Sequence, residues 1–429
     1  MKITILTLGT RGDVQPYAVL GQALAQRGHQ ITLSTAKNFK ELVESYGIAF
    51  HPIDADYEQL LNSKEGKRIF NGNPFALKRN FNKLISPIIE RSLNEFYNLA
   101  QASDVTIYRP KTLANVFTNQ LSKITIQAAV VPAMIETAAF PNPAISGFKI
   151  PEFLYKWSYR VNDLKYSILK KPIKSFHLQN GLNEEFPIDS AEACVYGISP
   201  YFLNRPDDWP LNHYLTGFWF SEQNTGLPPD VERFIAEGKA PIVVTFGSMP
   251  LPRKLNKLIL RAAEELNQRF IIVKGWGDLD VAELSNRTNI RVVDPMPFEA
   301  LFKKAKAVVH HGGIGTVAEC LRSGIPMFIC PAVYPLGDQF FWGDLAHRKG
   351  VAVKPIPLSK LHSNEFIESI HELLTNKTLY QKSAEMASRL RAENGVRKAA
   401  DHIERIISEK TTPSIGPSDN ANPLTQIAS

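Results

Sequence analysis

The sequence predicts an α/β protein of two facing Rossmann-like domains with a cleft between them. Three observations carry the prediction. A strand, loop, helix, strand rhythm opens the chain; a polar Gly/Pro stretch follows near residue 225; the same rhythm then starts again. A length of 429 residues gives each half enough chain to bury its own core.

In the first half, Ile3 to Leu8 reads as a strand, Gly9 to Gln15 as a loop and Pro16 to Arg27 as a helix stopped at Gly28. Gln30 to Ser34 and Ile48 to Ile53 read as strands around a helix from Asn38 to Tyr46. Asp104 to Ile107 and Lys123 to Ala128 add two more strands. Ser221 to Asp230, with Gly226, Pro228 and Pro229, reads as a linker. Beyond it, strands are expected at Pro241 to Phe246, Phe270 to Lys274, Ile290 to Val293, Ala307 to His310 and Met327 to Cys330. Helices are expected at Leu255 to Gln268, Phe298 to Lys304, Thr316 to Arg322, Asn364 to Leu374, Lys377 to Glu393 and Val396 to Glu409. The predicted boundaries are therefore 1–220, a linker at 221–232, a second domain at 233–409 and a disordered tail at 410–429. Ligands of such sheets bind at the carboxyl ends of the strands, so two facing halves place a cleft between their loops.

Hydrophobic residues are 44% and charged residues 21%, ordinary for a soluble globular protein. Cys194, Cys320 and Cys330 stand at no zinc or redox spacing, which predicts a reducing compartment and no metal framework. The first residues read as a strand rather than a signal peptide, and no run approaches the roughly 18 apolar residues of a membrane span, so a cytoplasmic protein is expected. Net charge is +7, and Lys64 to Lys174 holds 17 Lys and Arg against 7 Asp and Glu. That surplus suits an acidic ligand or an anionic membrane surface, and equally a solvated face. No nucleic-acid-binding module is recognisable. Within it, Leu154, Trp157, Val161, Leu164 and Ile168 recur at spacings of three and four, with Lys156, Arg160, Lys165, Lys170 and Lys171 around them. This describes an interfacial helix, peripheral to an anionic membrane, and also an ordinary core-packing helix with solvated lysines.

The chemistry concentrates in Val308-Val309-His310-His311-Gly312-Gly313-Ile314-Gly315-Thr316, a strand running into a glycine-rich turn and then a helix. Missing side chains admit a ligand to the backbone, and a helix N-terminus offers free N–H groups to phosphate. His311 and Thr316 can add donors, enough to hold a diphosphate without a metal; a tight turn before a packed helix is the plainer reading. Some 20 residues on, Gly337-Asp338-Gln339-Phe340-Phe341-Trp342 sets polar groups beside aromatic surface, the makeup of a sugar subsite, while Asp338 also suits a helix N-cap.

These segments, with Gly324-Ile325-Pro326 and Pro331, resemble the donor-binding block of the inverting UDP-sugar glycosyltransferases. Gly9-Thr10-Arg11-Gly12-Asp13-Val14-Gln15-Pro16 is similar to the opening of the sterol glucosyltransferases and of the bacterial macrolide and glycopeptide-antibiotic glycosyltransferases. Gly337 to Trp342 is nearest the sterol branch. Phe246-Gly247-Ser248 and Gly275-Trp276-Gly277 also fit, and Pro132 to Thr137 running into Phe140-Pro141-Asn142-Pro143 resembles the family's acceptor-side loop, which points to Phe140 and Pro141. The resemblance implies the GT-B fold, an acceptor-binding first domain, a nucleotide-sugar-binding second domain, and transfer with inversion from a UDP-sugar donor, with glucose expected, to a hydroxyl of an apolar small molecule. It implies no cofactor besides that donor. It assigns the diphosphate to His311, Gly313, Ile314, Gly315 and Thr316 with Ser248 nearby, sugar hydroxyls to Asp338 and Gln339, the uracil to Met296 and Phe298 with Trp276 beside it, and ribose to Glu319. Ile314 is bulkier than the family's residue there, and Phe298 replaces a polar one.

Inversion needs a base for the acceptor hydroxyl. Asp13, in the loop after the first strand, matches the aspartate of the sterol and antibiotic branch, with Thr10 and Arg11 at the donor-sugar end of the loop; as a helix cap it would need no catalytic role. His29 and His51 read as structural. A nicotinamide enzyme is disfavoured because Gly9-Thr10-Arg11-Gly12 lacks the third glycine of the dinucleotide fingerprint. A nucleotide-sugar epimerase and a non-catalytic nucleotide-binding protein are the remaining alternatives.

Overall fold

Short runs of β-branched and aliphatic residues, buried on both faces in the central strands, form two wholly parallel sheets, as such runs do when helices cover both sides. The computed structural model describes residues 1–54, 86–183, 191–222, 226–247, 249, 253–275, 284 and 287–411. The first sheet comprises β1 (Lys2–Leu6), β2 (Gln30–Ala36), β3 (Ala49–Ile53), β4 (Val105–Tyr108), β5 (Ile124–Ala129), β6 (Ala193–Tyr196) and β7 (His213–Leu215), in the order β3-β2-β1-β4-β5-β6-β7. The second comprises β8 (Ile242–Thr245), β9 (Phe270–Val273), β10 (Ile290–Val293), β11 (Ala307–His310) and β12 (Met327–Ile329), in the order β10-β9-β8-β11-β12. The helices used below are α1 (Arg11–Ala25), α2 (Lys40–Glu44), α3 (Ser86–Gln101), α4 (Tyr155–Ser158), α5 (Val161–Asn180), α6 (Pro229–Ala236), α7 (Arg253–Glu265), α8 (Phe298–Phe302), α9 (Ile314–Ser323), α10 (Gln339–Arg348), α11 (Ser363–Thr375), α12 (Lys377–Arg391) and α13 (Gly395–Thr411).

Each sheet has a switch point, where strand order reverses: between β1 and β4 in the first and between β8 and β11 in the second. Crevices for ligands open at such points, outside the carboxyl ends of the strands. The loops there are Gly9–Thr10 and Arg109 in one domain, and Gly247 and His311 in the other.

The two domains share a seam. Gly337 N–H donates to the Ala144 carbonyl (2.8 Å), and the Phe140 and Phe341 rings lie 5.3 Å apart in a mixed core that also holds Tyr196, Trp209 and Trp342.

The structure revises several expectations. The first helix begins at Arg11, not Pro16. Extended Thr10 is its N-cap, and Thr10 and Asp13 form a reciprocal capping box that outweighs the preference of proline for a first turn. The last helix, α13, expected in the second domain, crosses back and packs on the first. Ala399, Ala400, Ile403 and Ile407 join the core around β1 and α1, and Arg27 bonds Asp401 and Glu404 at 2.6 Å each. Finally, 151–174 is not one helix: a 3₁₀ turn (Glu152–Leu154), α4 and α5 follow one another with a break before Val161. Helix α6 starts at Pro229, inside the expected linker, and the tail beyond Thr411 lies outside the described residues.

Candidate active site

Gly9, after β1, has φ +137°, a conformation that side chains rarely adopt, and a Cβ there would overlap the Asp13 carboxylate. The chain thus clears room for that carboxylate to fold back over its own loop. Thr10 N–H and Oγ1–H both donate to Asp13 Oδ2, at 2.7 and 3.2 Å. Oδ1 is ion-paired with Arg109, which follows β4, and with Lys111 Nζ at 3.3 Å. Asp13 is thus N3 of α1, rather than its N-cap, and the anchor of a charge cluster. Its burial alone would raise its pKa; the Arg109 charge, then Lys111 and the Thr10 N–H, outweigh that and hold the carboxyl well below the usual range.

Arg109 also senses Asp338 of the second domain, whose charge raises its pKa further. One buried guanidinium therefore lies within electrostatic reach of the candidate base and of the candidate sugar-binding carboxylate. Asp338 begins α10 without capping it through its side chain; Oδ2 instead accepts from Trp342 Nε1–H at 2.8 Å. Gln339 is buried, and its Oε1 accepts from the Ala332 and Val333 N–H groups (2.8 and 3.0 Å), so it also holds the loop after β12.

The glycine-rich turn forms a cradle. At Gly312, φ is +94° and a Cβ would lie 2.8 Å from the Gln339 carbonyl, so only glycine lets the turn pass against α10. Gly313 is the N-cap of α9, no side chain caps the helix, and nothing lies within 4 Å of where a Gly315 Cβ would be. His311 sits beside this open N-terminus; its Nδ1 is buried without a hydrogen-bond partner, and burial lowers its pKa to about 4, leaving it neutral at pH 7. An unpaired buried donor beside an uncapped helix dipole is suited to phosphate oxygen. Thr316 is buried at the third position of α9. Ile314 packs against the apolar clusters of both domains, which accounts for its bulk.

Elsewhere, Phe298 stacks on Phe302 (centroids 4.8 Å, 9°), and Met296 packs against the same core. Glu319 is bonded to Arg322 at 2.6 Å. Arg11 is exposed and donates to Gln15 Oε1 at 3.0 Å. Phe140 is 5% exposed in the domain seam, so its ring is committed to packing, and Pro141 beside it is half-buried. Ser248 and Trp276 lie outside the described residues. Arg109 and Lys111 escaped the sequence reading, which placed Lys165 only on the basic face of a helix. Lys165, on α5, has its pKa lowered to about 8 by burial and by the charges of Lys111 and Arg109. The available signal was positional: Arg109 directly follows a strand at the switch point.

Residues 3–135 match the glycosyltransferase family 28 N-terminal domain, and residues 258–406 match the C-terminal domain of erythromycin biosynthesis protein CIII-like proteins. These matches and the fold together identify a glycosyltransferase of the GT-B class. The chain is related to the sterol glucosyltransferases and the macrolide glycosyltransferases. It is 31% identical to a sterol 3-beta-glucosyltransferase of Arabidopsis thaliana over 92% of its own length and 64% of that protein's, and so spans less than two thirds of that relative. It is 27% identical to the O-mycaminosyltylonolide 6-deoxyallosyltransferase of Streptomyces fradiae, over 96% of this chain and 99% of that one. Among solved structures of the same fold, the glycosyltransferase of kitacinnamycin superposes with a TM-score of 0.72 at 18% identity, covering 94% of this chain and 98% of that one. The glycosyltransferase VinC, solved in complex with DTDP, gives 0.64 at 14% over 95% and 100%.

Proposed function

We propose that this glycosyltransferase moves a hexose, glucose foremost, from a UDP-sugar to a hydroxyl of an apolar acceptor, with inversion and with Asp13 as general base. The observation that carries the reading is the buried Asp13–Arg109 ion pair at the switch point of the first sheet, on whose guanidinium the charge of Asp338 from the other domain also acts. His311 and the α9 N-terminus would take the diphosphate, whose charge grows as the bond to C1 breaks. Asp13 would accept the hydroxyl proton as the acceptor oxygen attacks C1 from the opposite face. The DTDP bound to VinC and the names of the plant relatives support a nucleoside diphosphate donor and a sterol-like acceptor. A panel of UDP-sugars against sterol, polyphenol and lipid acceptors, read by mass spectrometry and by the anomeric configuration of the product, tests the whole reading. Retention of configuration, or turnover of a UDP-sugar with no acceptor present, rejects it.

Two binding predictions accompany it. UDP at about 100 times its dissociation constant stabilises the fold by roughly 2.7 kcal/mol, with EDTA present. A thermal shift without UDP dependence, or activity lost to EDTA and restored by manganese, counts against this site. His311→Ala weakens UDP about tenfold to a hundredfold, the worth of a hydrogen bond to a charged group, and spares the fold because Nδ1 has no protein partner. Calorimetric titration giving unchanged affinity would remove His311 from the diphosphate site.

A further inference from the structure

The stretch from Phe148 to Leu178 turns a second apolar surface outward. The inner face of α5 is already satisfied: Leu169, Ile173 and Phe176 are buried in a core with Phe96 and Phe117. Its outer face carries Leu164, Ile168, Lys171, Lys174 and Leu178 at spacings of three and four, a stripe about 21 Å long. Leu164, Ile168 and Leu178 are 61%, 50% and 66% exposed, and just before the helix Phe153 and Trp157 are 84% and 69% exposed, with Phe148 at 50%. Of the expected stripe, Trp157, Leu164 and Ile168 face solvent, and Leu154 and Val161 are half-buried. Apolar side chains this exposed are unusual when contiguous on one element.

Charge identifies what covers them. Between Phe148 and Lys174 there are seven Lys and Arg against two Asp and Glu. Lys156 and Arg160 are paired with Asp208 and Asp163, both at 3.3 Å, whereas the exposed Lys149, Lys170 and Lys171 have no acidic partner among the described residues. Aromatic and aliphatic side chains projecting between unpaired lysines match the headgroup boundary of an anionic bilayer. No helix among the described residues is long and apolar enough to cross a membrane, so the contact is peripheral. The first turns of α5 are tied to the segment after β4 that carries Arg109 and Lys111: Tyr166 accepts from Asn115 Nδ2–H (2.8 Å).

We propose that the first domain docks on an anionic lipid bilayer through Phe153, Trp157, Leu164 and Ile168, with Lys149, Lys170 and Lys171 on the headgroups, so that the acceptor side of the cleft opens at the membrane surface. The docking needs no donor or acceptor, so it is tested apart from the sugar-transfer reading. The full chain is sedimented with phosphatidylserine/phosphatidylcholine vesicles and with phosphatidylcholine alone. Binding to the anionic vesicles that weakens with salt is expected, together with a blue shift of Trp157 emission; Trp209, Trp219 and Trp342 are buried and contribute little to it. Lys170→Glu/Lys171→Glu weakens binding at least about tenfold, each lysine being worth roughly fivefold near the surface. Phe153→Ser/Trp157→Ser abolishes binding without lowering Tm, because both side chains are exposed. Recovery in the supernatant with both vesicle types at low salt overturns the proposal. So does dimerisation that the same substitutions abolish without any vesicle binding, or loss of turnover in Phe153→Ser/Trp157→Ser with a water-soluble acceptor and no vesicle binding.

Discussion

Asp13→Asn lowers kcat by about two to four orders of magnitude and leaves UDP affinity in place, the range typical for loss of a general base. The asparagine oxygen can still accept from Thr10 N–H, so the start of α1 persists; what disappears is the charge facing Arg109 and Lys111, which lowers stability by about 3–5 kcal/mol as for any broken buried ion pair, so kcat is measured below the lowered Tm. A residue acting only through the capping box would leave turnover nearly unchanged on this substitution, because the asparagine oxygen keeps the bond from Thr10 N–H. The paired cations make Asp13 a weak base, so the loss is smaller for a phenol, whose proton leaves readily, than for an alkyl alcohol. Steady-state kinetics with one acceptor of each kind checks both statements. Near-normal kcat with both acceptors would place the base elsewhere.

Arg109→Met destabilises the protein by about 3–5 kcal/mol, the cost of leaving one partner of a buried ion pair behind. The Arg109 side chain is 5% exposed, and it also donates to the Leu8 carbonyl at 3.1 Å, so the variant loses a tie across the switch point as well. The pH dependence has a defined sign. The Asp13 pKa in the folded protein lies below its unfolded value of about 3.9, so its ion pair contributes stability fully above that value and loses it as pH falls through the folded pKa. The gap between wild type and Arg109→Met therefore closes in strong acid, grows as pH rises, and reaches its full size above the Asp13 pKa of the variant. Without Arg109, burial pushes the Asp13 pKa upward, and an acid limb enters the kcat/KM profile at higher pH than in the wild type. Urea denaturation at several pH values and pH–rate profiles measure these effects. Arg109→Lys, which keeps the charge, should recover much of the stability. Equal stability and equal acid limbs in wild type and Arg109→Met would show that the pair does not govern Asp13.

The amino-acid sequence determined whatever is encoded within about ten neighbouring residues. Strand runs, the restart beyond residue 225, the glycine-rich turn before α9 and the place of Asp13 after β1 were all legible, because periodicity, glycine conformation and helix starts are local properties. Even there a local competition was misjudged: the capping box at Thr10 and Asp13 starts α1 earlier than Pro16 suggests. Only the tertiary structure brought Lys111 to Asp13 across 98 positions of sequence, and Arg109 with it, since long-range pairing leaves no spacing to read. The return of α13 to the first domain is of the same kind: its apolar face fits any core, and the choice was made by packing against β1 and α1 and by Arg27. Helix α5 shows the limit most directly. Its sequence holds two apolar stripes, Leu164–Ile168–Leu178 and Leu169–Ile173–Phe176, and helical spacing marks both alike. The second was buried because Phe96 and Phe117 complete a core around it, and the first was left facing outward.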